Sequence, residues 1–187
     1  ERAILEAHQQ KILFIAAAGN EKTNSDEKGF YPANYGLSNI ASVTAIDEQR
    51  AILPSSNFGI KTVDLAAPGK NISSSLPGGR FGLMTGTSQA TAFVTGAAAL
   101  LMSHNTNLND PEKIISILVK TGFKNEKLSE KTKSETQLDI YRTLVMKDQD
   151  QDAFGQSESP SESSSSELLT EELPFKIGSN AKKLLSK

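Results

Sequence analysis

The sequence predicts an α/β domain with a mainly parallel sheet flanked by helices over residues 1–146, followed by a disordered tail. Two observations carry this expectation. Short continuous apolar runs of strand length alternate with longer segments of helical period, the order expected of a parallel sheet. Apolar residues also crowd into the first part of the chain and thin out after Met146, so only that part can bury a core.

The elements follow in chain order. Residues 2–10 place Ile4, Leu5 and His8 on one side of a short helix. Residues 12–18 form a continuous apolar run that stops at Gly19-Asn20, as a buried parallel strand does. Residues 21–29 are polar and read as a surface loop, continued by Tyr31-Pro32-Ala33-Asn34. Residues 40–46 are a second strand, and Ser55-Ser56-Asn57-Phe58-Gly59 is a turn cluster. Residues 63–67 are a third strand, stopped by Pro68-Gly69. Residues 72–76 and 80–84 flank Pro77-Gly78-Gly79, which predicts a hairpin.

Residues 89–104 contain no proline and are rich in alanine, with Val94, Leu100, Leu101 and Met102. Small residues at Ala90, Gly96, Ala97, Ala98 and Ala99 predict close packing. A helix apolar on most sides is expected to be buried. Asn109-Asp110-Pro111-Glu112 joins a capping side chain to a proline at the first helical position. Ile114, Ile115, Leu118 and Val119 supply the core stripe of that helix, and Gly122 ends it. Residues 138–146 read as a last amphipathic helix. Residues 147–172 are a Ser/Glu-rich linker. Such a stretch cannot bury enough apolar surface to offset chain entropy, so disorder is expected. Residues 173–187 form a tail to which the sequence assigns no structure.

Composition removes several function classes. The formal net charge is -2 and no basic block is present, so no nucleic-acid partner is expected. The absence of cysteine excludes a disulfide scaffold and a thiolate metal site. No apolar run is long enough to span a bilayer, and residues 12–18 lack the flanks of a signal peptide. The spacing of Asp and Glu makes no calcium loop, so no metal ligand is assigned. The chain starts at Glu1 inside a helical pattern, which reads as a fragment or a processed chain.

The sharpest chemical signal is Gly86-Thr87-Ser88-Gln89-Ala90-Thr91-Ala92-Phe93-Val94-Thr95-Gly96. It sets a serine in the first turn of a helix, where unpaired N–H groups and the positive end of the helix dipole sit. There the Ser88 N–H can face an oxyanion formed by attack of the Ser88 hydroxyl. Taken alone, Thr87 or Ser88 reads equally well as a plain helix cap. Asn20 likewise reads as a turn residue after a strand, or as an amide donor at the carboxyl end of a parallel strand.

These segments resemble the subtilisin-like serine proteases, or subtilases, of the peptidase S8 family. Residues 86–96 resemble the Gly-Thr-Ser-x-Ala-x-Pro-x-Val-x-Gly signature around the family's nucleophile, with Ala92 standing where proline is usual. Ala16-Ala17-Ala18-Gly19-Asn20, Tyr31-Pro32-Ala33, Ser56-Asn57-Phe58-Gly59, Asp64-Leu65-Ala66-Ala67-Pro68-Gly69 and residues 72–78 resemble it too, in the family's order.

The resemblance implies an incomplete subtilisin-like fold and a serine endopeptidase acting on polypeptides. It implies Ser88 as nucleophile and Asn20 as oxyanion-hole donor. It implies Ala17, Ala18 and Gly19 as one wall of the pocket for the side chain before the scissile bond. It also implies an extracellular or cell-envelope location and no cofactor for the chemistry. A structural calcium ion, held partly by backbone carbonyls of residues 33–37, is a further implication.

A serine nucleophile needs a base and an orienting carboxylate, and in subtilisin both precede the serine. Here His8 and His104 lack the family's His-Gly-Thr context, and Asp64 falls in a structural segment. The catalytic Asp and His are therefore expected before Glu1, in a missing N-terminal half of the same domain, and this chain alone is expected to be inactive. The sedolisins share a Gly-Thr-Ser nucleophile but place an Asp in the oxyanion hole, so Asn20 favours the subtilisin branch. The alternative from a different class is a non-catalytic, degenerate subtilase-like binding module.

Overall fold

Three parallel strands make the frame on which the candidate site stands: β1 (Phe14–Ala17), β2 (Ile40–Ile46) and β3 (Leu65–Pro68). The computed structural model describes residues 1–145; the linker at 147–172 and the tail at 173–187 lie outside the described residues. All seven residues of β2 are buried, which is why its sequence is continuously apolar or small rather than alternating. Ala16 pairs with Ser42, and Val43 pairs with Leu65.

The hairpin of β4 (Ile72–Leu76) and β5 (Arg80–Met84) is a separate two-stranded sheet, as expected from its turn residues. Its register sets Ser73 opposite Leu83 and Ser75 opposite Phe81. The hairpin connects β3 to α2 (Thr87–His104), followed by α3 (Pro111–Lys120). Two further strands, β6 (Phe123–Lys124) and β7 (Thr136–Gln137), complete the sheet in the order β1-β2-β3-β7-β6. β7 runs parallel to β3, and β6 runs antiparallel to β7. The sequence reading missed both, because a two-residue strand carries no period. The chain continues into α4 (Ile140–Val145).

Side-chain alternation divides the core between the two faces of the sheet. Val43, Ala45, Leu65 and Ala67 meet Ala90, Val94, Ala97 and Leu101 of α2 and Ile114 and Leu118 of α3. On the opposite face Ile4 of α1 (Arg2–Gln9) clusters with Ala16, Ala33 and Ile40. Only Ile4 of the expected stripe on α1 is buried; Leu5 is turned to solvent and His8 is partly covered.

The structure corrects the reading of α2 as buried on most sides. Its buried positions form one stripe, and Phe93, Leu100 and Met102 lie on exposed faces. Gly96 is exposed as well, and a Cβ added there would meet nothing within 4 Å. On α3 the cap is as expected: Asp110 accepts hydrogen bonds from the N–H groups of Glu112 and Lys113, with Pro111 at the first position. Its core residues are Ile114, Ile117 and Leu118, while Ile115 and Val119 are only half-buried. Thr121, at the end of α3, is tied to Thr143 of α4 by a buried hydroxyl–hydroxyl bond of 2.9 Å. Among the described residues no helix is long and apolar enough to cross a membrane.

Candidate active site

The site forms where β1 ends and α2 begins. Ala18 is held in the sheet by its N–H, which donates to the Val43 carbonyl at 2.9 Å. The chain then turns at Gly19, whose φ is +105°. A side chain there would collide with Asn57 Nδ2 at 2.4 Å and Glu21 Oε2 at 2.6 Å, so only glycine fits. Ala18 and Gly19 are buried, Ala17 is half-buried, and Asn20 is exposed.

Asn20 reaches across to the N-terminus of α2. Its Oδ1 accepts the Thr87 N–H at 3.0 Å and the Thr87 hydroxyl at 3.3 Å. The N-cap of α2 is Gly86, which has no side chain to offer. A residue 67 positions away therefore supplies the cap, satisfying one of the helix's orphan donors. The Thr87 hydroxyl is fully buried and also accepts the Gly19 N–H at 3.3 Å, closing the junction. Gly86, with φ +153°, is what lets this approach happen: a Cβ there would lie 3.3–3.4 Å from the Asn20 amide.

These contacts decide which donors remain. Because Oδ1 of Asn20 is engaged with Thr87, its Nδ2 is the end left to donate, and it has no acceptor among the described residues. Ser88 is the second residue of α2 and is exposed. The N–H groups of Gln89 and Ala90 turn back to the Gly86 carbonyl, at 3.2 and 3.4 Å. The Ser88 N–H has no acceptor among the described residues, and its hydroxyl is likewise free. A hydroxyl, a free backbone N–H and a free amide thus gather at one helix tip, at the end of the macrodipole that favours negative charge. Such a tip is chemically suited to hold an oxyanion beside a nucleophile.

No base reaches Ser88 among the described residues. His8 lies on α1, 3.6 Å from Glu112 Oε1 and 3.5 Å from the Ser38 hydroxyl. His104 ends α2, 16 residues beyond Ser88, roughly 24 Å away at ~1.5 Å per residue. Asp64 belongs to the frame: its Oδ2 accepts the Ser42 N–H at 2.8 Å, and Lys133 Nζ stands 3.7 Å from its Oδ1. Burial pushes its carboxyl above the ordinary aspartate range, with the Ser42 bond and Lys133 acting against that shift. Among the described residues no three His, Asp or Glu side chains cluster as a metal site.

The sequence presents Thr87 as a possible cap and Asn57 as part of a turn cluster, both within strings that resemble the family, and assigns neither a long-range contact. Both prove to be junction residues, joined to partners that are far away in sequence.

A mainly parallel sheet flanked by helices, with a free hydroxyl and free N–H donors where a helix begins at its edge, defines an α/β protein. The sequence pattern of the Subtilase family, peptidase S8, matches residues 1–155, and the chain belongs to that family. It is 36% identical over 115 residues to Subtilisin-like protease 2 of Plasmodium falciparum (isolate 3D7), covering 60% of this chain and 9% of the relative. It is 38% identical over 106 residues to the major intracellular serine protease of Bacillus subtilis (strain 168), covering 56% of this chain and 32% of the relative.

Among solved structures, the prenylagaramide maturation protease PagA superposes with a TM-score of 0.64 at 30% identity, over 76% of this chain and 53% of its own. The epidermin leader peptide processing serine protease of Staphylococcus aureus does so with a TM-score of 0.68 at 26% identity, over 78% of this chain and 43% of its own. The chain therefore spans well under half the length of the curated relatives it matches.

Proposed function

We propose that this chain supplies the nucleophile side of a serine endopeptidase that hydrolyses peptide bonds in polypeptides. The Ser88 hydroxyl attacks the scissile carbonyl. The Ser88 N–H and the Asn20 amide hold the oxygen as it becomes negative, and the helix tip favours that charge. Ala17, Ala18 and Gly19 form one wall of the pocket for the side chain before the cut. The observation that carries this reading is the hydrogen bond from the Thr87 N–H to Asn20 Oδ1, which sets the free end of the amide beside the residue that precedes Ser88.

The proton acceptor is proposed to be a His–Asp pair on a segment preceding Glu1, packed on the open side of this domain. Phe93 and Leu100, exposed on one side of α2, support a helix side that another segment covers.

Fluorophosphonate labelling tests both parts. The longer protein is expected to be labelled at Ser88, and Ser88→Ala is expected to abolish labelling. The 187-residue chain alone is expected to remain unlabelled. Labelling that survives Ser88→Ala removes the nucleophile assignment. Strong labelling of the isolated chain removes the missing base.

The calcium expectation meets a specific obstacle. Ala33, Asn34, Gly36 and Leu37 line a cavity of about 390 Å³ together with Asp64 and Lys133. The Lys133 ammonium already stands beside the Asp64 carboxylate, so these residues do not fit a divalent cation well. We assign no step to calcium. An extracellular or envelope location remains a proposal from family resemblance, since one relative is named an intracellular protease.

A further inference from the structure

We propose that Asn57 is a positioning residue for the Asn20 amide; this rests on the reading of Asn20 as an oxyanion donor. Asn57 is 1% exposed and uses its whole amide on the segment that carries Asn20. Its Oδ1 accepts the N–H groups of Glu21 at 2.9 Å and Thr23 at 3.0 Å. Its Nδ2 donates to the Ala18 carbonyl and to Glu21 Oε2, both at 2.9 Å. Its own N–H donates to the Gly19 carbonyl at 2.9 Å.

The bonds of this one residue therefore bracket Asn20, reaching residues 18 and 19 before it and 21 and 23 after it, while never touching Asn20 itself. Asn57 is in turn anchored from the sheet: the Thr44 hydroxyl of β2 donates to its carbonyl at 2.7 Å. An asparagine is required because the position needs two acceptances on one side and two donations on the other. Gly19 is its counterpart, since any side chain there would occupy the place of Asn57 Nδ2. The division of labour is clear. Thr87 fixes the orientation of the Asn20 amide, and Asn57 fixes the turn from which that amide projects.

The test is a double-mutant cycle in the longer protein that contains this chain. Asn57→Asp keeps the Oδ1 acceptor but turns a second oxygen towards the Ala18 carbonyl and Glu21. It is expected to lower kcat by about 10- to 100-fold, with KM changed less than about threefold, because the oxyanion donor acts only in the transition state. In an Asn20→Ala background the same change is expected to cost less than about threefold in kcat. Equal losses in both backgrounds, or an effect on KM alone, overturn the positioning role. An Asn20→Ala variant with unchanged kcat instead overturns the oxyanion reading and takes this role with it.

Hydrogen exchange on the 187-residue chain gives a readout independent of turnover. The Thr87 N–H is expected to exchange faster in Asn57→Asp, while the Val94 and Ala97 N–H groups in mid-helix keep their rates. Unchanged Thr87 exchange overturns the proposal. Asn57→Ser, smaller and neutral, is read by the same two criteria if Asn57→Asp does not fold.

Discussion

Thr87 shows how much one hydroxyl can carry. Fully buried itself, it accepts the Gly19 N–H and donates to Asn20. Thr87→Val preserves the shape and strands the Gly19 donor. The expected loss is about 1–3 kcal/mol in urea unfolding, and a loss near zero argues against a closed junction. If Asn20 is the oxyanion donor proposed above, Asn20→Ala in the protein containing this chain is expected to cost about 10²–10³ in kcat, the loss subtilisin shows when its oxyanion-hole asparagine is removed.

Asp64 makes a prediction of a different kind. With its carboxyl raised chiefly by burial, the folded state holds the proton more tightly than the unfolded state. Its contribution is fully present below the ordinary aspartate range and is lost as pH rises through the raised value. The stability of the native chain relative to Asp64→Asn is therefore expected to rise on acidification across that window. A flat difference in urea midpoints refutes it. At this scale the helix start at Thr87 and the turn at Gly19-Asn20 were legible because each sits in a distinctive local string. The roles of Thr87 and Asn57 were not, because bonds spanning 67 or 39 positions leave no mark on local sequence.

Among the elements, α3 is the most fully written in its own sequence. Proline at the first turn and Asp110 before it name the start, and Asp110→Ala is expected to cost about 0.5–2 kcal/mol by thermal or urea unfolding. The strands of the parallel sheet were legible for the same reason that they are stable. Both faces are covered, so the runs are apolar throughout. The helix stripe was harder to place: Ile117 takes the buried position expected for Ile115, a rotation that alternating isoleucines do not reveal. β6 and β7 were invisible because two-residue strands carry no period: β7 is placed by its pairing with β3, and β6 by its pairing with β7. For α2, composition indicated an apolar helix but not what covers it.

At the scale of the molecule the two faces of α2 tell different stories. One packs on β1, β2 and β3; away from it Phe93 and Leu100, seven residues apart, share an exposed side of the helix. The isolated chain is expected to bind a hydrophobic dye and to associate with rising concentration. Joining it to the segment proposed to precede Glu1 is expected to suppress both. Dye binding that is unchanged in the longer protein counts against a covered face. Lys133, seated against Asp64, leads to an expectation for metal removal: chelation is expected to leave the melting temperature of this chain unchanged.

Gly96 turns this open face into a steric gauge. In mid-helix, glycine costs about 0.5–1 kcal/mol relative to alanine, and here a methyl group has empty space around it. Gly96→Ala is thus expected to raise the stability of the chain on its own. In a longer protein whose other half lies flush against α2, the same methyl becomes a wedge. A single carbon atom, helpful in one context and harmful in the other, thus reports how closely the segment proposed to precede Glu1 approaches α2.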